Sequence, residues 1–260
     1  MVDAFRQEHD SYGAAQVIDF LLRGKSNPSS VLGSIASARS NARIVRTALS
    51  SEVWEATNEC WMEAKSILAN PVSERALHDT LAQIRFRAAV VRGALHGTML
   101  RNDIFSFSRL GTFVERADNT ARILDVKYYV LLPSASLVGT TIDNAQWENI
   151  LRSVSAEQSY QWLNGGRATP MGIAEFLILD RRMPRSLAFC CLKIGENLSL
   201  LEREYGGRQP CHGLAETLCS RMSGTSIQAV FETGLHEFLT ESIADMGQSA
   251  NDIETDYRFY

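Results

Sequence analysis

One stretch of the chain decides its fold class: residues 105–131 read FSFSRLGTFVERADNTARILDVKYYVL. Apolar residues recur within it in alternating steps of four and three, at Leu110, Val114, Ala117, Ala121, Leu124, Tyr128 and Leu131. This spacing places them on one face of an α-helix as a heptad seam, and the alanines let a neighbouring helix approach closely. The stretch therefore predicts a long helix that packs in the core.

Charged residues of this helix are predicted to lie on two flanks of the seam. At about 100° per residue, one flank carries Glu115, Asp118, Arg122 and Asp125, and the other carries Arg109, Arg116 and Lys127. Because Glu115 and Arg116 are adjacent, they point apart and cannot pair with each other. We expect each to find its partner on another helix, on a ligand or in water, and we expect Asp118 to pair with Arg122 four residues later.

The remainder of the chain has the composition of a helical protein. Of its 260 residues 45% are hydrophobic, and the 6 prolines and 17 glycines are too few for the many tight turns of an all-β protein. We predict helices at residues 10–23, 28–70 with a break near Ser50, 73–100, 105–131, 144–163, 173–179, 184–205 with Pro184 first, and 213 onward with a break near 222–224.

An internal repeat underlies this pattern. Residues 19–22 (DFLL) and 27–30 (NPSS) recur 156 residues later as 175–178 (EFLI) and 183–186 (MPRS). The repeat predicts an all-α helical bundle of two similar units, residues 1–104 and 105–260, packed about an approximate twofold axis within one compact domain. In the first unit, an equivalent of helix 105–131 would begin about 71 residues before Pro28, which is farther back than the sequence reaches. We therefore expect the first unit to be N-terminally incomplete. It should expose apolar surface where that helix would pack, and a homodimer could cover this surface.

Several segments resemble one known family. Residues 113–125 (FVERADNTARILD) are similar to the signature helix of the alpha-E family, a bacterial helical domain with a Glu-Arg motif. Residues 38–43, 51–55 and 174–180 resemble the same family, whose members usually begin with a first Glu-Arg helix that this sequence lacks. The family is typically encoded beside ATP-grasp ligases and transglutaminase-like cysteine peptidases. The resemblance therefore implies a role with such partners in a peptide-ligation or amide-bond-forming system.

Two groups of residues are candidate sites. Glu115 and Arg116 are the catalytic or ligand-binding candidates, within a motif helix that also carries Arg109, Asp118, Asn119, Arg122 and Asp125. Arg181, Arg182 and Arg185 surround Pro184, and at the start of a helix they would form an anion site for phosphate or carboxylate. The alternatives are an interhelical salt-bridge network for the first group and a solvated loop paired with Asp180 for the second.

Other chemistry finds little support in the sequence. Glu52, Glu55 and Glu59 form a carboxylate row, but no Glu-x-x-His accompanies it, and we predict neither a metal nor a cofactor. The histidines are dispersed, and we expect Leu95-His96 and Leu235-His236 to be equivalent packing positions. A net charge of −4 gives no general bias toward nucleic acid, and we expect no nucleic-acid partner.

The remaining expectations concern location and activity. Five scattered cysteines suit a reducing compartment, and no apolar run approaches bilayer length, so we expect a cytoplasmic protein without a membrane partner. The first functional hypothesis is a non-catalytic accessory or scaffold module that acts with an ATP-grasp-type ligase. The alternative is an enzyme of acyl or aminoacyl transfer that uses the Glu-Arg motif and the arginine-rich anion site.

Overall fold

The computed structural model of the chain describes residues 1–130, 141–165 and 168–258. Across these three ranges it contains 13 α-helices and no strand, which confirms the all-α class. The chain divides into two compact units, Met1–Arg101 (unit 1) and Asn102–Tyr260 (unit 2). In the described ranges no helix is both long and apolar enough to cross a membrane.

Unit 1 is a small bundle with a short helix before it. In chain order it contains α1 (Val2–Glu8), α2 (Ala14–Arg23), α3 (Val31–Ile44), a 3-10 turn (Arg46–Ala48), α4 (Ser51–Ile67) and α5 (Glu74–Thr98). Helix α4 packs against both α3 and α5 around Leu22, Leu68 and Ile84. The expected break near Ser50 is confirmed, because the Ser50 hydroxyl accepts a hydrogen bond from the Val53 N–H and starts α4.

Unit 2 is built around the long motif helix. It contains α6 (Asp103–Val130), α7 (Thr141–Ser153), α8 (Glu157–Asn164), α9 (Pro170–Ile178), α10 (Leu187–Tyr205), α11 (Cys211–Gly224), α12 (Ile227–Thr233) and α13 (Leu235–Asp256). Helix α6 packs along α10 and α13. Four seam residues are fully buried there, namely Leu110, Ala117, Ala121 and Leu124. The predicted core role of the seam is thus confirmed, while its last position, Leu131, lies outside the described residues.

The predicted first residues of two helices are wrong by three positions. Helices α3 and α10 begin at Val31 and Leu187, not at Pro28 and Pro184, because Ser30 and Ser186 are their N-caps. Each serine hydroxyl accepts from a backbone N–H three residues ahead, and each serine N–H closes a turn onto the residue before the proline. The two caps are 156 residues apart, the offset of the sequence repeat, whose twofold axis stays a prediction.

Two predicted helices are also divided. The helix predicted at residues 144–163 is interrupted between α7 and α8, where Ser155 adopts a left-handed conformation with φ 55°. The C-terminal helical stretch breaks after Gly224, as expected, and again at Gly234, whose φ of 113° suits glycine. After the second break, the start of α13 lies beside Asp125 near the C-terminal end of α6.

Candidate functional site

The outer flank of α6 carries the glutamate of the Glu-Arg motif. Glu115 is exposed, and its carboxylate accepts a hydrogen bond from Asn119 Nδ2 at 2.5 Å. Of the partners expected for Glu115, its exposure fits water, and an amide one turn later on the same helix is a further partner that the sequence analysis did not include. The expected pair of Asp118 and Arg122 is confirmed, with two parallel hydrogen bonds of 2.7 and 2.9 Å.

The arginine of the motif faces a different environment. Arg116 is half-buried, and the side chains of Arg109 and Arg116 both lie near the buried ring of Phe113, at 4.3 and 5.9 Å from its centre. Next to them is Cys190 of α10, where burial raises the pKa of the thiol to about 12 although the charges of Arg116 and Arg185 oppose this rise. The motif arginine therefore points into the α6–α10 interface.

Arg185 is the member of the predicted anion cluster that meets the motif helix. Its carbonyl accepts a hydrogen bond of 2.8 Å from the Thr120 hydroxyl on α6. The charges of Arg185 and Arg116 both lower the pKa of the Cys190 thiol, although the two arginines belong to different sequence motifs. Position 185 also lies just before α10, whose N-cap is Ser186.

Arg181 and Arg182 point elsewhere. Arg181 donates to the Ser223 hydroxyl on α11 at 2.5 Å, and Arg182 binds the carboxylate of Asp180 at 2.7 Å. The latter contact holds the pKa of Asp180 below its usual range. Arg182 lines a cavity of about 360 Å³ together with Glu175 and Asp180. Two carboxylates beside one guanidinium make this cavity a poor anion site. Arg181, Arg182 and Arg185 each contact a different group, and a shared anion site stays a prediction.

A groove lies between the exposed flank of α6 and the facing side of α7. Its volume is about 360 Å³ and its lining is mostly apolar, with Ile123, Val126 and Ile150 as its hydrophobic residues. Polar residues border it, among them Asn119 and Arg122 of the motif helix. Val126 is 50% exposed although it is hydrophobic. The groove is thus an apolar surface bordered by motif residues that are themselves held by Glu115 and Asp118.

A buried ion pair fixes the far wall of this groove. Lys127 of α6 and Asp143 of α7 are only 1% and 2% exposed, and Lys127 Nζ lies 2.7 Å from the Asp143 carboxylate. The same ammonium group donates to Gln146 Oε1 at 2.8 Å and lies 5.6 Å from the centre of the Trp147 ring. The sequence pattern predicts Lys127 on a flank of the helix but gives no sign that it is buried. This cluster holds α7 against α6.

A second polar cluster joins the motif helix to α13. Asp125 Oδ1 lies 2.5 Å from His236 Nδ1, and His236 Nε2 lies 3.4 Å from the Thr240 hydroxyl. The sequence pattern predicts that His96 and His236 are equivalent packing positions of the repeat. That expectation is wrong, because His96 lies in the last turn of α5 and His236 is the second residue of α13. The order carboxylate, imidazole, hydroxyl is one that acyl-transfer enzymes use.

One member of the carboxylate row of α4, Glu59, lies at an ion pair between α4 and α5. Glu63 binds the guanidinium of Arg87 on α5 through two contacts, and Glu59 lies 3.8 Å from the same group. Among the residues that the structure describes, no three His, Cys, Asp or Glu side chains are grouped so that they could hold a metal ion.

Comparison with known proteins gives one match. The family profile described as Alpha-E, a predicted alpha-helical domain with a conserved ER motif, matches residues 1–257. Searches of curated proteins and of solved structures returned no match. The matched range covers nearly the whole chain, including Glu115 and Arg116 on α6, the helix around which unit 2 is built. The chain therefore belongs to the Alpha-E family.

Proposed function

We propose that this protein is a helical accessory module of a peptide-ligation or amide-bond-forming system, acting with an ATP-grasp-type ligase. The observation that carries the proposal is the apolar α6–α7 groove bordered by Asn119 and Arg122 of the motif helix. In this role the groove binds an amphipathic segment of the ligase or of its peptide substrate. The partner class follows from the family resemblance, which also implies a transglutaminase-like peptidase in the same system.

The groove has the physical properties of a peptide-binding surface. An exposed apolar strip between two helices can accept the apolar face of a third helix, with anchors spaced three and four residues apart. The polar rim supplies orientation, because Asp118 fixes the guanidinium of Arg122 and Glu115 fixes the amide of Asn119. Fixed rim groups lose little conformational entropy when a partner binds.

Binding to the neighbouring ligase tests this proposal. Val126→Glu places a carboxylate on the groove, and we expect it to weaken association at least about tenfold, because a buried unpaired charge opposes binding. The control is Leu200→Glu on α10, which changes a hydrophobic residue of similar exposure away from the groove. Calorimetry with purified ligase measures both. Equal binding by the two variants, or no association and unchanged ligase output, would contradict the proposal.

Asp125, His236 and Thr240 favour a second candidate function, acyl transfer. In this reaction His236 takes the proton of the Thr240 hydroxyl as its oxygen bonds to the acyl carbon, and Asp125 stabilises the imidazolium. The leaving group then departs with that proton. Thr240 lies inside α13, whose N–H groups bond within the helix, so its own helix offers it no backbone oxyanion donors. This weakness places the candidate second.

A chromogenic ester separates the two candidates. If Thr240 is a nucleophile, nitrophenyl acetate should release nitrophenolate in a burst and leave an acetyl group on Thr240. Thr240→Val and His236→Gln should abolish the burst, and Thr217→Val, at an exposed threonine of α11, should preserve it. No burst, or one that Thr240→Val leaves intact, would exclude this reaction. Glu115 and Arg116, the catalytic candidates from sequence, face different surroundings, and a catalytic role for them stays a prediction.

A further inference from the structure

Unit 1 carries an alternating row of cationic and aromatic side chains on α3, the 3-10 turn (Arg46–Ala48) and α4. Arg46 lies 5.2 Å from the centre of the Trp54 ring, and Arg39 lies 6.0 Å from Trp54 and 4.2 Å from Trp61. The row continues with Lys65, 5.1 Å from the Trp61 ring. We name this row, Arg46–Trp54–Arg39–Trp61–Lys65, the cation–aromatic ladder. Each member lies within 6.0 Å of the next across α3, the 3-10 turn and α4, so the row is continuous.

The cations of this surface have no acidic partners among the described residues. None of Arg39, Arg43, Arg46 and Lys65 forms an ion pair there, whereas Arg87 of the same unit pairs with two glutamates. Arg39 donates its Nε–H to Asn58 Oδ1 at 2.7 Å, which holds the guanidinium near both rings. Arg43 follows Arg39 by one turn on the same face and is exposed.

Exposed apolar side chains border the ladder at both ends. Ile44 is 76% exposed and Val45 is also exposed beside Arg46, and Met62 is exposed next to Trp61. Tryptophan, arginine and methionine are enriched where proteins bind one another. The acidic residues Glu59 and Glu63 of α4 lie at Arg87. Glu55 is exposed on the same helix face as Met62, so one carboxylate stands against the four cations Arg39, Arg43, Arg46 and Lys65. The surface therefore combines net positive charge with accessible hydrophobic contacts.

We propose that the cation–aromatic ladder is a docking surface for an acidic segment of a partner protein, one in which carboxylates alternate with apolar side chains. Carboxylates of that segment pair with Arg39, Arg43, Arg46 and Lys65, and its apolar residues contact Ile44 and Met62. The complementary charges are the argument for this occupant, because uncompensated cations attract carboxylates and the planar guanidinium binds them through two hydrogen bonds.

A single-stranded nucleic acid is the less suitable occupant. It is also anionic, but its binding depends on bases that stack on uncovered aromatic faces. Here each tryptophan ring already has two cationic side chains within 6.0 Å of its centre. The rings thus position the cations, and the cations remain available to carboxylates.

Fluorescence anisotropy with a labelled peptide of alternating aspartate pairs and leucines tests the proposal on the full chain. We expect micromolar binding that weakens with added salt, and an Arg43→Gln/Arg46→Gln double variant should weaken it about tenfold. The matched control is Arg85→Gln/Arg92→Gln, which removes the same charge from exposed positions on α5. This control should stay within about twofold of the parent.

Two other probes complete the experiment. A peptide with asparagine in place of aspartate should not bind, and a single-stranded oligothymidylate of the same length should bind more weakly than the acidic peptide. The proposal is overturned if the acidic peptide does not bind at about 100 micromolar, if both double variants weaken it equally, or if the oligonucleotide binds as tightly. Circular dichroism of each variant confirms that the loss of binding is not a loss of folding.

Discussion

Replacing Asp143 by Asn should destabilise unit 2 more than any surface substitution. The change leaves the ammonium group of Lys127, 1% exposed, with Gln146 and the Trp147 ring but without a counter-charge. Removing one partner of a buried ion pair costs about 3–5 kcal/mol. Because about 1 kcal/mol shifts the melting temperature of a domain this size by about 2–4 °C, we expect a decrease of about 6–20 °C.

The assay is urea and thermal unfolding followed by circular dichroism near neutral pH. Glu148→Gln is the matched control, since Glu148 lies on the same helix and pairs with Arg152 where both side chains are about half exposed. An exposed pair contributes about 0.2–1 kcal/mol, so the control should melt close to the parent. The double variant Lys127→Met/Asp143→Leu should recover most of the stability, because it removes both charges together.

Two results would refute this reasoning. If Asp143→Asn costs less than about 1 kcal/mol, the pair is not desolvated as its burial indicates. If the double variant is as unstable as the single one, the loss comes from packing and not from an unpaired charge. A loss of stability should also weaken partner binding in the α6–α7 groove, since this pair holds α7 in place.

Three further expectations follow. Glu115→Gln should change the free energy of unfolding by less than about 0.5 kcal/mol, since Glu115 is exposed; a loss above about 2 kcal/mol by urea unfolding would contradict its outward position. Above about pH 9, Cys190 should lower the free energy of unfolding by about 1.4 kcal/mol per pH unit, because its thiol stays protonated in the folded state and ionises in the unfolded state. A Cys190→Val variant whose stability declines as steeply with pH would exclude that cause. Phe86, 64% exposed on α5, should promote homodimer formation, so that sedimentation finds more monomer after Phe86→Glu; a parent that is monomeric at micromolar concentration would disprove this.

Much of the fold could be predicted because helical periodicity is a local property. The heptad seam identified α6, and the Ser50 cap and the Gly224 break marked two further helix boundaries. Prolines were less reliable guides, because Pro28 and Pro184 lie in the turns that precede Ser30 and Ser186. The break at Ser155 had no signal in the sequence, since a left-handed serine is uncommon.

The site could be predicted only where its contacts are local. Asp118 and Arg122 are four residues apart, so helix geometry alone pairs them. The contact between Asp125 and His236 joins residues 111 positions apart and depends on how α13 packs against α6. Burial of Lys127 likewise depends on how α7 places Asp143 against α6, and residue spacing along the sequence does not predict this packing. Tertiary packing, not sequence pattern, creates these clusters.

The adjacency of Glu115 and Arg116 explains why one motif can serve two purposes. Neighbouring residues on a helix point about 100° apart, so one side chain can face solvent while the next enters an interface. Glu115 is exposed and orders Asn119 at the edge of the groove, whereas Arg116 lies beside Cys190 and Arg185 between α6 and α10. The groove therefore lies on one side of α6, while Arg116 packs on the side that faces α10. This division favours a binding role for Glu115 and a packing role for Arg116 over a shared catalytic one.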